Sequence, residues 1–330
     1  MKRLRTPAWL SMAAALLVSF AGAAQPLDRG TDLIPLTELG NGTYKGQSGG
    51  LYGDGQNQPP AAHREAAQRL LKSIVPLDAQ GQPSADGWIV LISIGMSNTT
   101  QEFSVFKRLA DADPAKARHV VIVDGALGGQ DAAAWAEERV IPQVGRTPWQ
   151  VLSQRLEQAG VTAAQVQVAW IKQALIGPGR IGEFPRHSER LQQDVATIVR
   201  KARERFPNLK IAYLSSRIFA GYATTALNPE PYAYESAFAV RGLIQKQIAG
   251  DAELNYDPAR GPVKAPLLLW GPYLWAQGEK PRKADGLTYS RADLAQDGTH
   301  PSAYGQQKVA NLLLRFFKTD PLAGEWFLAR

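Results

Sequence analysis

The sequence predicts a three-layer α/β/α fold built on a five-stranded parallel sheet, and three observations carry that expectation. Five short apolar runs recur along the chain, each is followed by a polar loop, and each loop leads toward a segment with helical periodicity. Runs this short and this uniformly apolar suit strands buried on both faces. Regular alternation of strand and helix suits parallel pairing, because each crossover needs a helix to return the chain to the same end of the sheet.

The runs are Trp88 to Ile94, His119 to Val123, Val166 to Trp170, Lys210 to Leu214 and Pro266 to Trp270. The helical segments are Gln101 to Ala112, Pro148 to Gln158, His187 to Phe206, Tyr232 to Ile248 and Ser302 to Phe317. In open sheets of this kind ligands sit at the carboxyl ends of the strands, so the loops after the five runs are where chemistry is to be sought. Upstream the texture differs. Gln25 to Pro83 is rich in Gly, Asn, Gln and Pro, with one helical stretch at Ala61 to Ile74, and reads as an irregular extension packed on the main domain. The chain thus divides into a leader (1–24), an N-terminal extension (25–85) and the α/β domain (86–330).

The leader carries Lys2, Arg3 and Arg5, then the apolar run Ala8 to Phe20, then Ala21, Gly22, Ala23 and Ala24. Basic, apolar and small residues in that order form a secretory signal, with cleavage expected after Ala23 or Ala24 and a secreted or periplasmic product. As a membrane anchor the run is short of the ~20 residues a spanning helix needs. No later segment is apolar enough to cross a membrane. The absence of cysteine removes disulfides, thiolate metal sites, a cysteine nucleophile and a cysteine lipid anchor. An apolar fraction of 45% and a charged fraction of 20% are those of a folded globular chain. Of the 37 basic residues three lie in the leader, and the remainder are scattered, not gathered into a stripe, so nucleic acid is not the expected partner. A polyanionic cell-surface glycan is compatible with that charge.

Four loops hold candidates. Gly95-Met96-Ser97-Asn98 follows the first strand and precedes Thr99, Thr100 and a helix. A serine at such a turn exposes its hydroxyl where helix amides stabilise negative charge, although Ser, Asn and Thr are equally ordinary helix caps. After the second strand come Asp124-Gly125-Ala126-Leu127-Gly128-Gly129-Gln130; the glycines suit either a close-approaching amide donor or a plain flexible loop. Ile171, Lys172 and Gln173 after the third strand offer side-chain donors, or merely a solvated loop end. Near the end stands Asp297-Gly298-Thr299-His300-Pro301. An Asp three residues before a His can hold one ring nitrogen and turn the other toward a serine, or can arise by accident at a helix entry. His63, His119 and His187 have no acid at a comparable spacing before the last helix.

Taken jointly, these blocks resemble the SGNH/GDSL hydrolase superfamily across Trp88 to Leu313. That superfamily has a serine after the first strand, a glycine after the second, an Asn-like donor after the third and Asp-x-x-His before the last helix. Gly95-Met96-Ser97-Asn98 is similar to the Gly-Gln-Ser-Asn form of sialate and carbohydrate O-acetylesterases, and Asp297 to Ser302 resembles their final block. The third block departs: Gly-x-Asn-Asp is missing, and Trp-x-Gln-Gly-Glu is represented only by Trp170-Ile171-Lys172-Gln173. A Gln277-Gly278-Glu279 string stands after the fifth strand, the wrong loop for that role.

The resemblance implies a flavodoxin-like sheet of the SGNH type and a serine esterase that deacetylates carbohydrate through an acyl-enzyme, with no metal or organic cofactor. Ser97 is then the nucleophile, His300 the base and Asp297 its partner. Oxyanion donors are the Ser97 amide, the Gly129 or Gly128 amide, and the Gln173 side chain with Lys172 as its rival. Arg217, Asn98 and Tyr232 are the candidate substrate contacts. The expected substrate is an acetylated glycan or another small ester. Competing readings are a lipase-like hydrolase of other esters, and a glycan-binding or acetyl-transferring protein that keeps the fold without hydrolysing.

Overall fold

The chain forms a short hairpin, β1 (Thr43–Tyr44) and β2 (Gln47–Ser48), and a helix, α1 (Ala61–Leu71). Strands and helices then follow as β3 (Ile89–Gly95), α2 (Ser97–Ala112), β4 (Val120–Val123), α3 (Ala132–Ala136), α4 (Pro148–Gln158) and β5 (Val166–Lys172). The second half comprises α5 (Arg186–Arg205), β6 (Ile211–Ser215), α6 (Tyr232–Ile248), β7 (Leu267–Trp270), α7 (Ala303–Thr319) and α8 (Gly324–Phe327). This computed structural model describes Gly30 and residues 32–329, so the leader expected at 1–24 lies outside the described residues.

Strands β3 to β7 form one parallel sheet in the order β4-β3-β5-β6-β7. Counted within that sheet the order is 2-1-3-4-5, the flavodoxin-like arrangement, whose topological switch point falls between its first and third strands. Here those strands are β3 and β5, which end side by side at Gly95 and Lys172. Every residue of β3, β5, β6 and β7 is buried, which is why these segments read as nearly continuous apolar runs. The helices gather in two groups, α2 against α7, and α3, α5 and α6 in series. Phe103 of α2 stacks on Trp170 of β5 at 5.5 Å, and Phe316 and Phe317 of α7 meet Tyr213 of β6 edge-on. Burying each such ring contributes about 1.5–3 kcal/mol, so these contacts fix α2, which carries Ser97, and its neighbour α7 against the sheet.

Residues of the extension share this core. Leu36, Leu51, Ala67 and Leu71 belong to the same buried cluster as the strands. Trp270 Nε1 donates to Leu51 O at 2.6 Å, His63 Nε2 lies 2.8 Å from Leu268 O, and the Leu36 amide donates to Tyr273 Oη at 3.0 Å.

Helix α2 begins at Ser97 and not at Gln101. Ser, Asn and Thr side chains usually compete with a helix by bonding nearby backbone. Here that competition is removed because they bond elsewhere: Asn98 to Thr299 O, Thr99 to Lys172 O and Thr100 to Asp124. The hairpin, α3 and α8 are too short to leave a periodic signal.

Candidate active site

Ser97 stands at the first position of α2, immediately after Met96 in extended backbone (φ −106°, ψ −162°). The turn is tight because Gly95 has no side chain. A Cβ there would come within 3.0 Å of both the Thr99 hydroxyl and the Lys172 carbonyl. Thr99 Oγ1 donates to Lys172 O at 2.7 Å, so the first turn of α2 is tied to the end of β5. On the other side, Gly95 O accepts from the Leu127 amide (3.0 Å) and from Trp135 Nε1 (3.1 Å), which draws the loop after β4 alongside Ser97. Asp124 braces the same corner, accepting from Ser93 Oγ at 2.6 Å, Thr100 Oγ1 at 2.5 Å and Ser104 Oγ at 2.8 Å. Sequence reasoning missed Asp124 in this role; its only signal was an acid at a strand end facing three hydroxyl residues.

The structure brings Ser97, His300 and Asp297 into one hydrogen-bonded series. Ser97 Oγ lies 2.8 Å from His300 Nε2, and His300 Nδ1 lies 2.5 Å from Asp297 Oδ2. A carboxylate at Nδ1 holds the proton there and leaves Nε2 to accept from the serine hydroxyl. Asp297 Oδ1 accepts the Thr299 and His300 amides, each at 3.0 Å, so the acid is oriented by its own turn. Burial pushes the Asp297 carboxyl up, but the His300 hydrogen bond and the two amides outweigh it and hold it below the ordinary carboxylate range. Both side chains are part-buried, 23% exposed for His300 and 31% for Asp297.

The turn carrying them is clamped by the segment after β6. Gly298 has φ +65°, and a Cβ on it would come within 3.0 Å of three backbone atoms, Tyr222 O, Tyr222 C and Ala223 N. The Thr224 amide donates to Asp297 O at 3.0 Å, and the Ala295 amide to His300 O at 2.8 Å.

Of the expected oxyanion donors, Gly128 and Gly129 form an exposed turn after β4, with Gly129 at φ +73°. Neither amide donates a hydrogen bond among the described residues, and nothing lies within 4 Å of where a Cβ would stand on either. The Ser97 amide, first in its helix, has no intrahelical acceptor. Gln173 directly follows the end of β5; it is buried, and neither of its amide atoms has a hydrogen-bond partner among the described residues.

Three expected contacts must be corrected. Lys172 is buried with its ammonium paired to Glu102 inside the protein, so it is not a donor presented to a substrate. Burial lowers its pKa to about 8, against the pull of Glu102. Asn98 and Arg217 are each 1% exposed and donate to the same backbone carbonyl, Thr299 O, which removes both from the surface a substrate touches. Both do stand after the carboxyl ends of strands, β3 and β6, but a sequence does not tell an inward-facing side chain from an outward one. Tyr232 opens α6, half-buried, with its ring edge-on to His187 at 4.8 Å. The other histidines are engaged elsewhere: His63 at Leu268 O, His119 Nδ1 at Gly87 O (3.0 Å) and His187 beside Glu235 (3.1 Å). Gln277-Gly278-Glu279 lies beyond β7, where Gly278 O accepts the Tyr289 amide at 2.7 Å.

A cleft of about 540 Å³ opens beside Asp297, lined by Ile176, Gly177, Arg180, Thr225 and Leu227. A larger one, about 830 Å³, lies at the opposite edge of the sheet between Ile89, His119 and Trp326, away from Ser97. Among the described residues no three His, Cys, Asp or Glu side chains converge to hold a metal ion, and no helix is long and apolar enough to cross a membrane.

Fold and site together define a class: α/β proteins that carry a hydrogen-bonded Ser-His-Asp series at the carboxyl edge of a parallel sheet. No protein-family model and no curated protein matches the sequence. Among solved structures, the chain is similar to a Bacteroides fragilis protein described as an acylhydrolase, at 13% identity and a TM-score of 0.38 over 78% of this chain and 97% of that one. It is also similar to a carbohydrate esterase whose active site displays divergent catalytic and non-catalytic binding functions, at 11% identity and a TM-score of 0.39 over 74% and 68% of the two chains.

Proposed function

We propose that the protein is an exported serine esterase of the SGNH kind that removes acetyl groups from O-acetylated carbohydrate. The observation that carries this reading is the series Ser97 Oγ, His300 Nε2, His300 Nδ1, Asp297 Oδ2, with contacts of 2.8 and 2.5 Å. In the cycle, His300 takes the Ser97 proton as the oxygen attacks the ester carbonyl, and Asp297 stabilises the imidazolium. His300 then gives that proton to the departing sugar oxygen, leaving acetyl on Ser97. Water, deprotonated by His300, cleaves the acyl-enzyme and regenerates the serine. The developing oxyanion is held by the Ser97 amide and the Gly129 (or Gly128) amide. Gln173 is the remaining side-chain candidate for a third donor, because its buried Nε2 lacks a partner among the described residues and, unlike Lys172, is not already committed to a carboxylate.

Acetylated carbohydrate is favoured by the similarity of Gly95 to Asn98 and Asp297 to Ser302 to the corresponding acetylesterase blocks. The cleft beside Asp297 is the adjacent space for the sugar, with Tyr232 on the same edge of the sheet. Export is supported by the basic-apolar-small order of residues 2–24. Acetate release from acetylated polysaccharides by wild type and Ser97→Ala is the decisive measurement. The variant should lose at least ~10³-fold in turnover. Equal release by both would end the serine mechanism, and a preference for long-chain over acetyl aryl esters would end the acetylesterase reading.

A further inference from the structure

We infer that Arg217 and Asn98 are positioning residues for His300, acting through the one carbonyl they share, Thr299 O. The inference rests on the roles proposed above for Ser97, His300 and Asp297. Asn98 Nδ2 donates to Thr299 O at 3.0 Å and Arg217 Nη2 at 3.2 Å. Thr299 sits between the acid and the base, so its carbonyl sets the angle at which the imidazole leaves the turn. Two other carbonyls of the turn are held from other directions: Asp297 O by Thr224 and His300 O by Ala295.

Asn98 adjoins Ser97, and Thr299 adjoins His300. The two elements are therefore joined by two neighbouring ties, Ser97 Oγ to His300 Nε2 and Asn98 Nδ2 to Thr299 O. The second tie holds the spacing of the first without using the reacting atoms.

Arg217 supplies the matching tie from the end of β6. A guanidinium this deeply buried is costly to keep, and most such groups are held by a two-pronged carboxylate pair. This one is not: its Nε and Nη1 have no hydrogen-bond partner among the described residues, and the buried carboxylates nearby are engaged elsewhere, Glu102 with Lys172 and Glu230 with the Ala220 and Tyr234 amides and the Trp275 indole. Among the described residues its one hydrogen bond from the side chain goes to Thr299 O. Burial weakens its hold on the proton while Glu102, Glu230 and Asp297 act in the opposite sense, so the positive charge belongs to the same enclosure as the acid of the series.

The test uses the full chain with Arg217→Met, Arg217→Lys and Asn98→Ala. Three quantities are read: the rate at which a fluorophosphonate labels Ser97, kcat and KM on p-nitrophenyl acetate, and amide hydrogen exchange across residues 295–302. Arg217→Met should slow labelling and kcat by about 100-fold, the scale of a displacement near an ångström, with KM within about twofold. Asn98→Ala, which leaves the guanidinium in place, should slow both by about tenfold, and Arg217→Lys should fall between. Exchange across 295–302 should quicken in the same order. If Arg217→Met does not fold, Asn98→Ala carries the test alone. Folded variants labelled at the wild-type rate, or a raised KM with unchanged kcat, would overturn the inference. Failure of the wild type itself to react with the probe would remove the serine-hydrolase reading and this one together.

Discussion

Replacing Gly298 by alanine isolates the clamp on the His300 turn. Two costs add. The residue sits at φ +65°, where a side chain costs about 1–2 kcal/mol. Its Cβ would also come within 3.0 Å of three atoms of the Tyr222–Ala223 backbone, which cannot rotate away as a side chain would. Overpacking of that sort adds about 1–3 kcal/mol, so the total is about 2–5 kcal/mol. Gly286→Ala is the control, because Gly286 has φ +72° but nothing within 4 Å of its Cβ position. It should lose only the backbone part, and the difference between the two variants in urea unfolding measures the steric part. Relieving the overlap moves the turn, and a shift of about an ångström at His300 should slow ester turnover by ~10²-fold in Gly298→Ala alone. Equal stability and equal turnover in the two variants would refute the idea that the segment after β6 holds the base in place.

Two further changes test other parts of the architecture. Burial pushes the Glu230 carboxyl up from 4.5 to about 7, against hydrogen bonds from the Ala220 and Tyr234 amides and the Trp275 indole. Folding therefore tightens proton binding at this site. The stability it contributes is complete below about pH 4.5 and is lost as the pH rises through 7. Across that window the unfolding free energy of the wild type should fall by up to about 3 kcal/mol relative to Glu230→Gln, and parallel profiles would contradict the assignment. Asp131 caps α3 by accepting the Ala134 amide at 3.0 Å and also accepts the Ile176 amide at 3.1 Å. Asp131→Ala should cost about 1–2 kcal/mol in thermal or urea unfolding, and a change below about 0.5 kcal/mol would show the cap to be dispensable.

Much of the sheet could be read from the sequence because parallel strands covered on both faces leave a signal that local interactions do not blur. Val166–Lys172 and Leu267–Trp270 are apolar almost throughout, and α4 and α6 have the bounds their periodicity predicts. The neighbourhood of Ser97 with His300 could be anticipated only by joining blocks far apart in the chain, since Ser97 alone is a good helix cap. Side-chain direction at the strand ends was not legible. Lys172 and Arg217 are long and charged, one the last residue of β5 and the other in the loop after β6, where polar residues usually face water, yet both turn inward toward the enclosure around Glu102. Only a partner distant in sequence fixes that choice, and Glu102 sits on a helix whose period gives no hint of a buried acid.

The two ends of the described chain leave the molecule in different places. Gly30 packs against Glu230 in the segment that leads from β6 toward α6, at the carboxyl end of the sheet. Ala329 is bound to Ala115, ahead of β4 and next to the far edge of the sheet. A purification handle or surface tether joined at the carboxyl end thus faces away from Ser97, whereas one fused ahead of Gly30 starts from the segment beside Glu230, at the same end of the sheet as Ser97. Immobilised protein made the first way should keep access to large substrates, and orientation on a support becomes a usable variable for measuring them.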